Sequence, residues 1–183
     1  MSISYKRLTG SSSAPWVARL VDLYAVVYAE APYEEGPEEV EGFRVKLPED
    51  MFRPGFELVI ATDDDALLGF AYGWTMPAGT WWSKADREPP PVLKAADKLA
   101  IMEWIVQPDR RGQGIGAQLI RWLIDGRSEP WATLASDSRS AARAIYERAG
   151  WSGVGKAVLS WGPTMDLLVL PLSSIERKSI AHR

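Results

Sequence analysis

The chain alternates between stretches whose apolar residues recur every three to four positions and stretches where they come in short blocks. "APWVARLVDLYAVVYAEA" (14–31) carries Trp16, Leu20, Leu23 and Val27 at the spacing of one helical face, with Ser13 as a cap ahead of Pro15. After "RRGQG", Ile115, Leu119, Trp122 and Leu123 repeat that spacing until Asp125-Gly126. "SRSAARAIYERAG" (138–150) does so again, with Ala142, Ile145, Tyr146 and Ala149 on one face and Gly150 as a C-cap. The remaining apolar blocks have the length of strands. "SISYKRL" alternates, "FELVIA" and "LLGFAYGWTM" flank the acidic turn "TDDD" as a hairpin, and "LAIMEWIV" and "WATLAS" are short continuous runs. "WSGVGKAVLSW" and "MDLLVLPL" predict two more strands around Gly162-Pro163. They could pair within one subunit or across a homodimer. The order β-α-α-β-β-β-α-β-α-β-β predicts one mixed α/β domain over 1–183, with a polar, frayed tail at 173–183.

Two connections stand out. "EAPYEEGPEEVE" holds six glutamates between Glu30 and Glu41. It reads as a solvated loop entering a short helix, or as an acidic lip that draws in a cationic substrate. Residues 77–98 carry prolines and glycines around Trp81-Trp82. Such a long connection is either a lid or a loop pinned to the core by its tryptophans.

Composition narrows the chemistry mainly by what is missing. Zero cysteines leave no thiolate nucleophile, disulfide or cysteine metal site. The one histidine, His182, sits at the end of the tail, so neither a Ser-His-Asp triad nor a multi-histidine metal site can form in a monomer. Acid–base work then falls to carboxylates, tyrosine, lysine, backbone groups or water. The net charge of −3 argues against nucleic acid as a partner. No apolar run has the length of a membrane span and "MSISYKRLTG" lacks a signal-peptide core, so the expected location is the cytoplasm.

The stretch "QPDRRGQGIGAQLI" (107–120) matches the dinucleotide pattern G-x-G-x-x-G/A at Gly112, Gly114 and Ala117. That fingerprint needs a strand running directly into the first glycine and an acidic residue about 20 positions on. Here Gln107 to Arg111 intervene, and the acidic position falls near Ala132. A P-loop fails too, since no Gly-Lys-Ser/Thr follows. What remains is a glycine loop opening a helix, with Arg110 and Arg111 ahead of it. Such a loop suits the pyrophosphate of a coenzyme.

In that setting "V-x-P-x-x-R-G-x-G-I-G" (106–116) resembles motif A of the GCN5-related N-acetyltransferase (GNAT) superfamily, written Gln/Arg-x-x-Gly-x-Gly/Ala. "SRSAARAIYERAGW" resembles a second family motif, N-x-x-A-x-x-L-Y-E-K-x-G-F. The two matches cover roughly residues 56–160. The resemblance implies a GNAT fold: a central mixed, mostly antiparallel, twisted sheet of six to seven strands, with helices on both faces and strands splayed around an acyl-CoA site. It implies acetyl-CoA as cosubstrate, held by Arg110, Arg111, Gly112, Gln113, Gly114, Ile115, Gly116 and Ala117, with Ile105 and Val106 pairing with its pantetheine arm. A backbone N–H near Val106 would face the thioester carbonyl, and Tyr146 would be the acid for the departing thiolate. The family asparagine is Arg139 here, which could reach a phosphate instead. Glu103 is the one acidic residue on the strand before the loop and the candidate general base. Strand alternation sets it opposite Met102 and Trp104, while Glu30, Glu34 and Glu35 are bases that would act through water.

The activity implied is direct acetyl transfer to the primary amine of a small, cationic metabolite. Tyr33, Glu34, Trp74, Trp81 and Trp82 are candidate pocket residues, and no metal is implied. An aminoglycoside-type antibiotic, a protein N-terminus or a lysine are alternative acceptors. A non-catalytic acyl-CoA sensor is the alternative of another class.

Overall fold

A computed structural model describes residues 2–158 and 162–172. The expected tail at 173–183, with His182 in it, and the end of "WSGVGKAVLSW" lie outside the described residues. Seven strands form one sheet in the order β1-β2-β3-β4-β5-β7-β6, where β1 is Ile3–Leu8, β2 Glu57–Asp63, β3 Ala66–Met76, β4 Lys98–Val106, β5 Trp131–Asp137, β6 Ser152–Val158 and β7 Thr164–Pro171. The pairs β1–β2, β2–β3, β5–β7 and β6–β7 are antiparallel, and β4–β5 is parallel. This is the mixed, mostly antiparallel sheet expected. Four longer helices accompany it: α1 Val17–Tyr28, α2 Pro37–Asp50, α3 Ile115–Ile124 and α4 Ala142–Arg148. No helix among the described residues is long and apolar enough to cross a membrane.

The chain divides into two compact units, one of residues 1–74 and 102–127, the other of residues 75–101 and 128–183. In the first, α1 buries Leu20, Val21, Leu23, Tyr24 and Val27, the face its periodicity marks. These pack with Phe43 and Leu47 of α2, Leu58 and Ile60 of β2, Phe70 and Tyr72 of β3, and Ile105 of β4. Burying each large apolar side chain contributes about 1.5–3 kcal/mol, so this one cluster dominates the unit's stability. The hairpin forms as read, with the two-residue turn Asp64-Asp65 and a register shift at Ala61/Thr62. Trp122, expected on the inner face of α3, is instead 40% exposed and stacks on Tyr5, because Ile115, Leu119 and Leu123 already fill that face.

Two sequence readings need correction here. Ser13 caps nothing with its side chain; it is fully buried, and the first helical turn is opened by Thr9, whose N–H donates to Ser12 Oγ at 2.9 Å. The helix after the acidic stretch is not short but runs 14 residues, through Gly42 and Pro48. Its start is well made: Pro37 occupies the first position and the Gly36 N–H donates to Glu39 Oε2 at 2.9 Å. With Phe43 and Leu47 buried below, these outweigh the weak helix formers in its middle.

In the second unit, β7 lies between β5 and β6, from Trp131↔Pro171 on one side to Val158↔Thr164 on the other. The C-terminal strands thus pair within one chain. The connection at 77–97 is pinned at several points. The Ala78 N–H donates to Asp97 Oδ1 at 2.8 Å and the Gly79 N–H to the Lys94 carbonyl at 2.7 Å. The Asp86 N–H bonds the Lys156 carbonyl at 2.7 Å, and Asp86 Oδ1 accepts the Lys156 N–H at 2.9 Å. Fully buried Lys98 turns its ammonium onto the carbonyls of Leu93 (3.0 Å) and Ala96 (2.7 Å), closing the short helical turn Pro91–Lys94. Burial pushes its pKa down, but the carbonyls satisfy the charge.

Candidate active site

The glycine loop begins where β4 ends. Gln107 fastens that junction, its backbone N–H donating to the Leu68 carbonyl and its Nε2 to the Leu67 carbonyl, each at 2.8 Å. A 3-10 turn over Pro108–Arg110 follows, which is where Pro108 suits the fixed φ. Gly112 (φ 76°) and Gly114 (φ 80°) then take left-handed backbone, and α3 starts at Ile115. A Cβ on either glycine would meet nothing within 4 Å, so backbone twist and not crowding demands them, and the space above the loop is open. Gly116 is there for another reason. Its Cβ would lie 3.4 Å from Trp104 Nε1, and the indole donates to the Gly116 carbonyl at 2.9 Å.

The first bond inside α3 runs from the Gln118 N–H to the Gly114 carbonyl at 3.1 Å. The N–H groups of Ile115, Gly116 and Ala117 precede it and point out of the helix end, where the dipole favours an anion. Gln113 and Ala117 are exposed beside them. Arg111 pairs with Glu30 at 2.8 Å across an exposed surface, and Arg110 sits 3.8 Å from Asp109. Such surface pairs are worth about 0–1 kcal/mol, so an incoming phosphate can take over either arginine.

Backbone approach is tightest one step earlier. A Cβ on Gly69 of β3 would stand 2.7 Å from the Ile105 carbonyl and 3.2 Å from Val106 Cα. This glycine lets β3 and β4 close at the residues expected to meet the pantetheine arm. On its other side β4 pairs with β5 only through Lys98↔Trp131, Leu99↔Ala132 and Ala100↔Thr133, three of its nine residues.

Glu103 lies on the opposite face of β4 from Trp104. It points away from the loop, into a set of tyrosines. Tyr28 Oη donates to Glu103 Oε2 at 2.6 Å, and Tyr24 Oη to Glu35 Oε2 at 2.6 Å. The Tyr24 ring lies 4.3 Å from Tyr28 and stacks on Phe43 at 4.1 Å, while Tyr33 meets Tyr28 edge-on at 4.8 Å. Burial pushes the Glu103 carboxyl up to about 7; the Tyr28 hydrogen bond and the Lys46 charge pull the other way, and Glu35 and Asp50 add to the rise. Burial likewise lifts Tyr24 and Tyr28, so both remain protonated donors at neutral pH. A carboxyl near 7 has the proton affinity a general base needs at physiological pH.

Of the other sequence candidates in this unit, Glu34 is exposed at φ 50° and Tyr33 half-buried. Trp74 lies under the Arg53 guanidinium at 4.4 Å. Arg53 is itself held by Asp50, a 1%-exposed carboxylate that also takes Lys46 and the Tyr72 hydroxyl. Tyr24, Tyr28 and Asp50 were not singled out from sequence. Tyr24 and Tyr28 fall four apart on α1 immediately before the acidic stretch, and that spacing was the available signal.

In the second unit, Tyr146 lies half-buried on α4, 6.2 Å from the Trp151 ring, with Gly150 (φ 92°) ending the helix as expected. Its neighbour Ile145, placed on the apolar face by spacing, is 52% exposed, since a seven-residue helix spares only one edge for packing. Arg139 grips Asp137 with two donors, Nη2 to Oδ2 at 2.7 Å and Nε to Oδ1 at 3.1 Å. That hydrogen bonding holds Asp137 below the usual carboxylate range. The half-buried Trp82 donates its indole N–H to Thr133 Oγ1 at 3.0 Å, which is the pinning role; Trp81 is half-buried beside it. Among the described residues no group of three or more His, Cys, Asp or Glu is placed to hold a metal ion.

A family model described as the acetyltransferase (GNAT) family matches residues 20–151. Among solved structures, the chain resembles the PaiA N-acetyltransferase of Thermoplasma acidophilum in complex with coenzyme A, at 14% identity and a TM-score of 0.64, over 93% of this chain and 99% of that one. An aminoglycoside 6'-N-acetyltransferase complexed with coenzyme A is similar at 18% identity and a TM-score of 0.61, over 94% and 97%. The NAA60 protein of Arabidopsis thaliana, solved with a bisubstrate analogue, is similar at 17% and 0.63, over 93% and 99%. No curated protein gives a significant match.

Proposed function

Since the chain belongs to the acetyltransferase (GNAT) family, we propose that it transfers the acetyl group of acetyl-CoA directly to the primary amine of a small, cationic metabolite. The observation that carries this reading is β4 itself: one strand bears a carboxylate raised to about 7 and leads, through Gln107 and one 3-10 turn, into the open glycine loop. The residues present fit the cosubstrate. The N–H groups of Ile115, Gly116 and Ala117, with Arg110 and Arg111 beside them, suit a pyrophosphate. Acetyl-CoA supplies the acyl group already activated as a thioester. Ile105 and Val106 offer backbone groups to the pantetheine arm, and the Val106 N–H is the donor for the charge that develops on the carbonyl oxygen.

Glu103 takes the proton from the ammonium of the acceptor, onto Oε1, so that the neutral amine can attack. Tyr146 gives a proton to the leaving sulfur and regains one from the proton that the attacking nitrogen sheds as the amide forms. Without cysteine the chain has no thiol to carry the acetyl group, which favours transfer in one ternary complex. A thiolate of ordinary pKa near 8.5 leaves readily. Tyr146→Phe is therefore expected to lower kcat only about tenfold, below the usual contribution of about 10²–10⁴-fold from a general acid, without raising KM for acetyl-CoA.

Glu34, Glu35, Glu38 and Glu39 form an acidic approach for a cation, with Tyr33 and Trp74 as candidate apolar walls. Changing the four glutamates to glutamine tests this. KM for cationic amines should rise about tenfold at low salt and converge with wild type at high salt. An unchanged KM at low salt would refute the cationic acceptor.

A further inference from the structure

Glu103 is not alone in its setting, and the group that touches it comes from 75 residues away. The Tyr28 ring is fixed from two sides, tilted against Tyr24 at 4.3 Å and edge-on to Tyr33 at 4.8 Å. Tyr24 is fixed in turn by Phe43 at 4.1 Å and by its bond to Glu35. The last turn of α1 therefore presents one immobilised phenol to the carboxylate. A glutamate side chain on a strand has three rotatable bonds, and a 2.6 Å hydrogen bond to one oxygen removes most of that freedom.

We propose that Tyr28 is a positioning residue for acetyl transfer: its hydroxyl holds Oε2 of Glu103 so that Oε1 is the oxygen turned to the acceptor ammonium. The inference rests on Glu103 being the base of the reaction proposed above. It adds a function for the tyrosine pair at the end of α1. Tyr24 keeps the ring stack in place, and of the two it is Tyr28 that touches the carboxylate.

The same bond sets the pH at which the base works. The groups facing Glu103 are Tyr24 and Tyr28 from α1, Glu35 from the loop after it, Lys46 and Asp50 from α2, and Tyr72 from β3. Burial, Glu35 and Asp50 favour the protonated acid, whereas the Tyr28 O–H and Lys46 favour the carboxylate. Loss of the Tyr28 hydroxyl must therefore move the titration of Glu103 upward. Loss of the Tyr24 hydroxyl acts in the other direction or not at all. It weakens the carboxylate form of Glu35, and with it a like charge near Glu103.

The test uses the full chain labelled with carboxyl-13C glutamate, with the Glu103 resonance assigned by its absence in Glu103→Gln. Tyr28→Phe keeps the stacked ring, and Tyr24→Phe is the matched control. The Glu103 midpoint should rise by about one pH unit in Tyr28→Phe and should not rise in Tyr24→Phe. The acid limb of kcat/KM should move with it, so that Tyr28→Phe is about tenfold slower than wild type at pH 6 and less impaired at pH 9. A Tyr28→Phe midpoint that stays in place or falls overturns the proposal. So does an equal upward shift in Tyr24→Phe, which would mark a general loosening of the ring stack. If Glu103→Gln keeps the wild-type rate and acid limb, the base assignment fails and takes the positioning role with it. If Glu103→Gln loses the limb while Tyr28→Phe leaves it unmoved, only the tyrosine proposal fails.

Discussion

Glu103→Gln should lower kcat by about 10²–10⁴-fold, the range for losing a general base, while making the protein more stable at pH 8. The two effects share one cause. In the folded protein burial lifts the Glu103 carboxyl from its ordinary 4.5 to about 7. Between those values the native state binds more protons than the unfolded chain, so stability falls as pH rises through the window. Above pH 7 the wild type carries a buried charge that folding disfavours. Glutamine keeps the shape and can still accept the Tyr28 hydrogen bond, but brings no charge. At about 1.4 kcal/mol per unit, and discounted because Glu103 is partly open to solvent, the gain should be about 1–2 kcal/mol at pH 8 and about a quarter of that at pH 5, vanishing only once the pH is below the unfolded value of 4.5. Urea unfolding at the two pH values checks this. A structural glutamate would instead lose stability on substitution.

Gly69→Ala should be the most damaging small change in the β-sheet. Its added methyl carbon would sit 2.7 Å from the Ile105 carbonyl oxygen and 3.1 Å from Leu119 Cδ1. The first of these is backbone and cannot swing aside, so β4 must shift away from β3. Overpacking of this kind costs about 1–3 kcal/mol. The shift falls on Ile105 and Val106, which are proposed to bond the pantetheine arm, so KM for acetyl-CoA should rise well before the protein unfolds. A displacement of about 1 Å at a reacting centre can cost about 100-fold in rate. Gly112→Ala is the contrast. It adds a methyl group where nothing lies within 4 Å and strains only the left-handed backbone. Initial rates at varied acetyl-CoA, together with urea midpoints, separate the two.

The strands and helices were legible from sequence because each has its own period and its own stop: Asp64-Asp65 ends β2, Gly150 ends α4. The glycine loop was legible because its chemistry is local, with every donor drawn from consecutive residues. The length of α2 was not, since Gly42 and Pro48 argue against a helix that capping and burial of Phe43 and Leu47 sustain. The surroundings of Glu103 were also hidden. Alternation along β4 could say that Glu103 and Trp104 face apart, but not which side held tyrosines, because Tyr28 is 75 residues distant and Asp50 lies on a third element. Trp82 has the same lesson in reverse: as one of a pair in a proline-rich loop it suggested a pocket wall, and its indole N–H is spent on Thr133, 51 residues on. Arg139 reads from sequence as a residue that could reach a phosphate, and its two-donor grip on Asp137, only two positions away, went unread.

The central claim is amine-dependent acetyl transfer from acetyl-CoA. It is tested most directly by following free thiol release with a panel of cationic amines, aminoglycosides and peptide N-termini, with mass spectrometry of the products. The expected result is steady thiol release that needs both acetyl-CoA and a small cationic amine, matched mole for mole by acetylated amine, and lost in Glu103→Gln. Binding of acetyl-CoA with no thiol release above the amine-free rate, for any acceptor in the panel, would contradict it and mark the chain as an acyl-CoA binder.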